Sequence, residues 1–245
     1  MTDMNAHSKQ SLIETRRFYL GLSFLLAILA TIGFWPQYFQ PLLTGSVEKN
    51  SVIHLHASVY VGWLALFIFQ CFLVAVGNIK LHRRVGNFGL VYGCGVVIVG
   101  LTTTIVKFAA NLEANGLEQV QHTEIFPFTD MVLFSAFFGA AAYYRKRPEL
   151  HKRLMIVTAC TILIASTGRF ALALGTEGAL FHLVSLTLWL SPILLAMGYD
   201  LVRNRVVHPV YLIGAAVIAI SSFRESLSYT DTWVSFTHWL ASTLS

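Results

Sequence analysis

The stretch NSVIHLHASVYVGWLALFIFQCFLVAVG, residues 50–77, opens with His54 and His56 and then stays apolar as far as Gly77. A helix needs about twenty such residues to cross about 30 Å of hydrocarbon. Similar runs recur along the chain, separated by short polar breaks. The whole sequence of 245 residues is 56% hydrophobic and only 12% charged, with a mean hydropathy of +0.65. That balance belongs to an integral membrane protein. The runs do not alternate, so helices rather than barrel strands are expected.

Seven spans are predicted: Phe18–Phe34, His54–Gly77, Phe88–Ala110, Ile125–Tyr144, Leu154–Leu174, Leu180–Leu201 and Val210–Phe223, the last being the shortest. The fold expected is an all-α polytopic membrane bundle. It divides into an N-terminal segment 1–17, a transmembrane domain 18–223 and a tail 224–245 whose Trp233, Phe236 and Trp239 suit an interfacial helix. Residues 13–35 invite a signal-peptide reading through TRRFYLGL, but the apolar run is long for one and no small-x-small cleavage site follows.

Basic residues are retained in cytoplasmic loops. Lys9, Arg16 and Arg17 precede span one; Lys80, Arg83 and Arg84 join spans two and three. Arg145, Lys146, Arg147, Lys152 and Arg153 join four and five, and Arg203 and Arg205 join six and seven. The alternate loops hold only Lys49, with Arg224 after the last span. The N-terminus is therefore expected in the cytoplasm and the C-terminus outside. The net charge of +5 follows from this topology and implies no nucleic-acid partner.

With that orientation, His54, His56, Asp130, Arg169, His182 and Arg224 fall in one outer layer contributed by five helices. Ionisable groups at such depth turn toward partners or a wet cavity, so the layer is read as a pocket open to the non-cytoplasmic side. His54 and His56 point about 200° apart on a helix. Only one can be a primary ligand, and His54 is favoured because its face carries the small residues Ser58, Gly62 and Ala65. Arg169 shares a stripe with Ser166, Ile162 and Thr158, and His182 one with Ser185 and Trp189. Asp130 and Arg169 are the candidate reactive pair, or else a structural ion pair. His238 in the tail is a candidate cap.

On the inner side, LHRRVG (81–86) and LHKRLM (150–155) place a histidine and two basic residues at the mouths of spans three and five. Anchoring at an anionic leaflet is the expected role. Cys71, Cys94 and Cys160 lie within spans and suggest packing. Lys107 sits near the outer end of span three, unlike a retinal-binding lysine, and is read as snorkelling.

The opening HLHASVYVGW, the Leu-His-Arg-Arg-x-Gly turn, the segment YYRKRPELHKRLM and the arginine of span five together resemble a large bacterial group of small multi-span membrane proteins of unknown function, over residues 50 to 224 or so. The resemblance implies a helical bundle in a bacterial inner membrane and names no chemistry. A looser likeness is to di-haem b-type transmembrane cytochromes. It implies haem b held by His54 or His56 with His182, an inner pair of His82 and His151, and Trp63 and Trp189 along the macrocycle. The chain departs from that pattern in setting His82 and His151 among arginines at the water interface.

Three readings of the outer layer follow. The first is a haem- or transition-metal-linked redox or assembly role, with His54, His56 and His182 as ligands, Arg169 paired to a propionate or quinone oxygen, Arg224 among the cofactor-binding residues, and a quinone or periplasmic carrier as partner. The second is a zinc hydrolase in which histidines and Asp130 attack a lipid-borne ester or amide, although no HExxH is present. The third is a transporter or assembly factor that binds an anion or metabolite through Asp130, Arg169 and His182.

Overall fold

The computed structural model describes residues 2–46 and 50–244; Lys49 lies outside them. The described residues are predominantly helical, with no strand among them. The helices are α1 (Thr2–Phe34), α2 (Gln40–Thr44), α3 (Ser51–Ala75), α4 (Ile79–Asn115), α5 (Leu117–Val120), α6 (Ile125–Tyr143), α7 (Pro148–Thr161), α8 (Ile164–Ala173), α9 (Gly178–Asn204), α10 (Pro209–Ser221) and α11 (Asp231–Leu244). A π-helical turn, Trp35–Phe39, joins α1 to α2, and a 3-10 segment, Arg224–Tyr229, joins α10 to α11.

Local chemistry fixes the boundaries. Asn50 caps α3 by accepting from the Val52 and Ile53 amides, and Asn78 caps α4 by accepting from Leu81. Gly77 and Gly116, at φ of +80° and +78°, take left-handed positions at the two ends of α4 that a side chain would strain. Pro148 and Pro209 open α7 and α10, where a missing N–H costs nothing.

Among the described residues five helices are long and apolar enough to cross a membrane, α1 with its continuation, α3, α4, α6 and α9, or six if the bent pair α7–α8 makes one span. Large apolar side chains such as Phe24, Ile28, Phe69, Val91, Ile98 and Val132 stand exposed on their flanks, as lipid-facing surfaces require. Two expected spans differ from the prediction. Span five is two helices bent by 47°. Here Thr161 Oγ1 donates back to the Thr158 carbonyl (2.8 Å), and Trp189 Nε1 inserts from α9 onto the Cys160 carbonyl at 2.6 Å. A side chain entering the backbone ladder is a recognised cause of a kink. The segment expected as span seven forms α10, whose 13 residues reach only about 20 Å.

Around the bundle, α3 packs between α1 and α4, α4 against α6, α6 against α7, and α9 against α8 and α10, while α1 returns to α8. The main core joins Leu22 and Leu26 of α1, Ile156 and Cys160 of α7, Trp189 and Ile193 of α9, and Tyr211 and Ile218 of α10. A second cluster, Trp63, Val96 and Phe134, fills the space between α3, α4 and α6. Close approach there depends on glycine: a methyl on Gly93 would collide with the Phe138 ring, and one on Gly100 with Met131 and the Tyr60 hydroxyl.

Polar contacts collect at the two ends of the bundle. At the basic end Arg203 pairs with Glu14, Arg153 with Asp200, and Arg145 reaches Asn87. At the other end Arg224 meets Asp130, Tyr38 meets His54, and the tail helix α11 docks over α4 and α5 through Phe108, Val120 and Leu240.

Candidate functional site

The side chains of α3 divide differently from the expectation that favoured His54. Ser58 and Ala65 of the small-residue face are exposed, whereas Trp63 and Phe67 on the His56 face are 3% and 5% exposed. Aromatic bulk fills the gap toward α4 and α6, so that face turns inward. His56 stacks on Tyr60 with ring centroids 4.1 Å apart. Its Nδ1 is buried and finds no partner among the described residues, as is also true of Trp63 Nε1. His54 instead turns toward α1 and bonds the Tyr38 hydroxyl through Nδ1 at 3.0 Å.

Asp130 lies buried on α6, and its partner is Arg224, whose Nη2 donates to Oδ1 at 2.5 Å. Arg169 does not join this pair. It donates to Gln37 Oε1 (2.6 Å) and the Ala165 carbonyl (2.7 Å), with its guanidinium 4.8 Å above the Phe34 ring. The break at Ile162–Leu163 interrupts the stripe expected to carry Arg169 inward, and Ser166 beside it bonds the Leu29 carbonyl of α1. His182 is exposed at the start of α9 with its ring edge-on to Phe181, although Ser185 and Trp189 farther along are buried. His238 is exposed as well. The expected metal set of His54, His56 and His182 is therefore not assembled. Among the described residues no group of three or more His, Cys, Asp or Glu side chains is placed to hold a metal ion.

What the bundle does assemble at this end centres on Arg224. The residue is 4% exposed and sits against the faces of Phe126 (5.1 Å) and Trp189 (5.8 Å). Only Nη2 is engaged; Nε and Nη1 are buried without a partner among the described residues. Tyr60 points from α3 toward α4 and α6, its hydroxyl directed at the Val96 carbonyl and Met131 Sδ. Just outside the span, Glu124 is buried. Desolvation raises its pKa above the ordinary 4.5, opposed by the Asn111 amide and the Lys107 ammonium. A separate apolar cleft of about 480 Å³ lies between the start of α6, the 3-10 segment and α11, lined by Ile125, Phe128, Leu227, Trp233 and Phe236 among others.

At the basic end a second polar assembly went unrecognised in the sequence. Arg153 is 4% exposed and Asp200 1%. The guanidinium grips the carboxylate at two points, Nε to Oδ2 at 3.0 Å and Nη2 to Oδ1 at 2.7 Å. Its Nη1 takes Glu149 through both the carbonyl and Oε2. Arg153 is thus a buried structural residue rather than a headgroup anchor, while its neighbour His151 bonds the Ala141 carbonyl. The available signal was Asp200 itself, a lone carboxylate within the last turns of an apolar span.

The chain matches no protein-family model, no curated protein and no solved structure. The likeness to the bacterial multi-span group rests on its motifs alone.

Proposed function

We propose that this is a multi-pass protein of a bacterial inner membrane, with seven spans, a cytoplasmic N-terminus and an external C-terminus, which binds a small anionic or carbonyl-bearing molecule at Arg224 from the non-cytoplasmic side. The observation that carries this reading is the buried guanidinium of Arg224, fixed by Asp130 and two aromatic faces and left with two unsatisfied donors. A buried donor without an acceptor costs about 1–3 kcal/mol, more when charged, so native structures keep such groups where something else meets them. Trp63 Nε1, a donor, and His56 Nδ1, a donor or acceptor according to its tautomer, are two more buried polar atoms on α3 without a partner among the described residues. The Phe126 and Trp189 faces against the guanidinium suit a ligand with a hydrophobic part, and a quinone belongs to this class. Haem or metal-linked redox chemistry would need histidine ligands beyond the contacts described above.

The test is native mass spectrometry and thermal unfolding of the detergent-purified protein, with quinone analogues and small carboxylates as probes. The expected result is a bound small molecule, or a probe-dependent rise in Tm, that disappears when the pair is replaced together by Arg224→Met and Asp130→Leu. Retention of the same binding by a folded double variant would refute the assignment.

A further inference from the structure

The basic end of the bundle contains a crevice of about 600 Å³ between the N-terminal half of α1, the start of α7 and the end of α9. We propose that it is a binding site for the phosphodiester headgroup of an anionic phospholipid, independent of the Arg224 site.

Spare donors rather than net charge fit the crevice to a phosphate, since Lys152, Arg153 and Arg203 are matched by Glu14, Glu149 and Asp200. Lys152, Arg153 and Arg203 line it with Glu149 and Asp200. Asp200 is already saturated: it accepts from Arg153 Nε and Nη2, from Asn204 Nδ2 (3.2 Å) and from the His208 amide (3.3 Å). Arg153 has Nε, Nη1 and Nη2 all engaged, so this pair forms a neutral floor. The two remaining cations line the crevice from α7 and α9. Among the described residues Lys152 Nζ pairs with Glu149, and Arg203 pairs through Nη2 with Glu14 at 2.7 Å. Both keep protons to donate. Ser11, Thr15 and Tyr199 add hydroxyls along the same walls, with Thr15 Oγ1 and Tyr199 Oη 3.0 Å apart. Two cations with spare donors and a row of hydroxyls suit a singly charged group with several acceptor oxygens.

The surroundings point to a lipid as the bearer of that phosphate. Leu12 lines the crevice and is 50% exposed, and Ile13, Leu201 and Val202 near it in sequence are exposed too, giving a lipid an apolar surface at the crevice's edge. By the positive-inside pattern this end faces the cytoplasm, where basic pockets between spans bind anionic lipid headgroups.

The experiment compares thermal unfolding of the full chain in dodecyl maltoside micelles with added phosphatidylglycerol, phosphatidylcholine, glycerol 3-phosphate or inorganic phosphate. A bound ligand raises Tm in proportion to its occupancy. Phosphatidylglycerol alone is expected to raise it, and the variant Lys152→Gln with Arg203→Gln is expected to lose more than half of that rise. Both side chains are partly exposed, 25% and 33%, so the variant is expected to fold. Arg83→Gln with Arg84→Gln, exposed residues at the same end, is the control and is expected to keep the rise. An equal effect of glycerol 3-phosphate or inorganic phosphate would overturn the lipid assignment. An undiminished rise in the Lys152/Arg203 variant, or an equal loss in the control, would overturn the site.

Discussion

Asp200→Asn tests whether the buried pair at the basic end holds the bundle together. The change keeps the shape of the side chain and removes its charge. In the native chain four donors converge on the carboxylate at 2.7 to 3.3 Å, two of them from the guanidinium of Arg153. Hydrogen bonds to charged groups contribute about 1.5–3 kcal/mol each, but they are not additive here because the crevice admits water to the vacated site. Breaking a buried ion pair costs about 3–5 kcal/mol, and the wet crevice sets the expectation at the lower end, about 3 kcal/mol. The assay is reversible unfolding in dodecyl maltoside micelles titrated with dodecyl sulfate and followed by tryptophan fluorescence. The double variant Arg153→Met with Asp200→Leu removes both charges and should recover most of the loss, since a well-packed apolar pair often replaces a buried ion pair without penalty. A loss of under about 1 kcal/mol for Asp200→Asn, the range of exposed pairs, would refute the reasoning. So would losses from the two single changes that simply add.

Other consequences are open to direct measurement. Burial holds the pKa of Glu124 above its ordinary 4.5, so the folded chain binds this proton more tightly than the unfolded one. The stability it contributes is full below the ordinary pKa and is lost as pH rises through the raised value. Glu124→Gln should therefore raise the unfolding midpoint at neutral pH and flatten its pH dependence, and an unchanged slope would show that another group governs it. Gly214→Ala places a methyl 2.6 Å from Val157 Cγ2 and 2.8 Å from Cγ1 and should destabilise the bundle by about 1–3 kcal/mol; an unaltered unfolding midpoint would mean that α10 and α7 do not pack this closely. His182→Ala, at an exposed position, should leave both stability and probe binding at Arg224 unchanged, whereas His56→Ala should weaken probe binding. The reverse order would restore His182 to the site.

Much of the helical layout was legible because hydropathy acts over whole segments, and the long apolar runs carry that signal locally. The break in span five was not legible, because it depends on Trp189 reaching across from α9 to the Cys160 carbonyl. Pairing suffered from the same limit. Asp130 was marked as a functional carboxylate and Arg224 as part of the same layer, but sequence depth could not say that these two meet while Arg169 turns to Gln37. Around His54 and His56 the wrong physical cue was weighted. A small-residue stripe suggests close helix contact, yet here the heavier Tyr60, Trp63 and Phe67 decide which face is buried. In LHKRLM the basic residues resembled an interfacial anchor, and only the carboxylate of Asp200, supplied by a distant helix, makes Arg153 a core residue.

The most direct measurement is an experimental density map of the purified protein at a resolution that defines the Arg224 guanidinium and its surroundings. The account predicts Nη2 on Asp130 and a non-protein acceptor, from an anionic or carbonyl-bearing molecule, within hydrogen-bond reach of Nε and Nη1. A map in which Arg224 extends into open solvent, or in which protein groups or water alone satisfy those two donors, would contradict it.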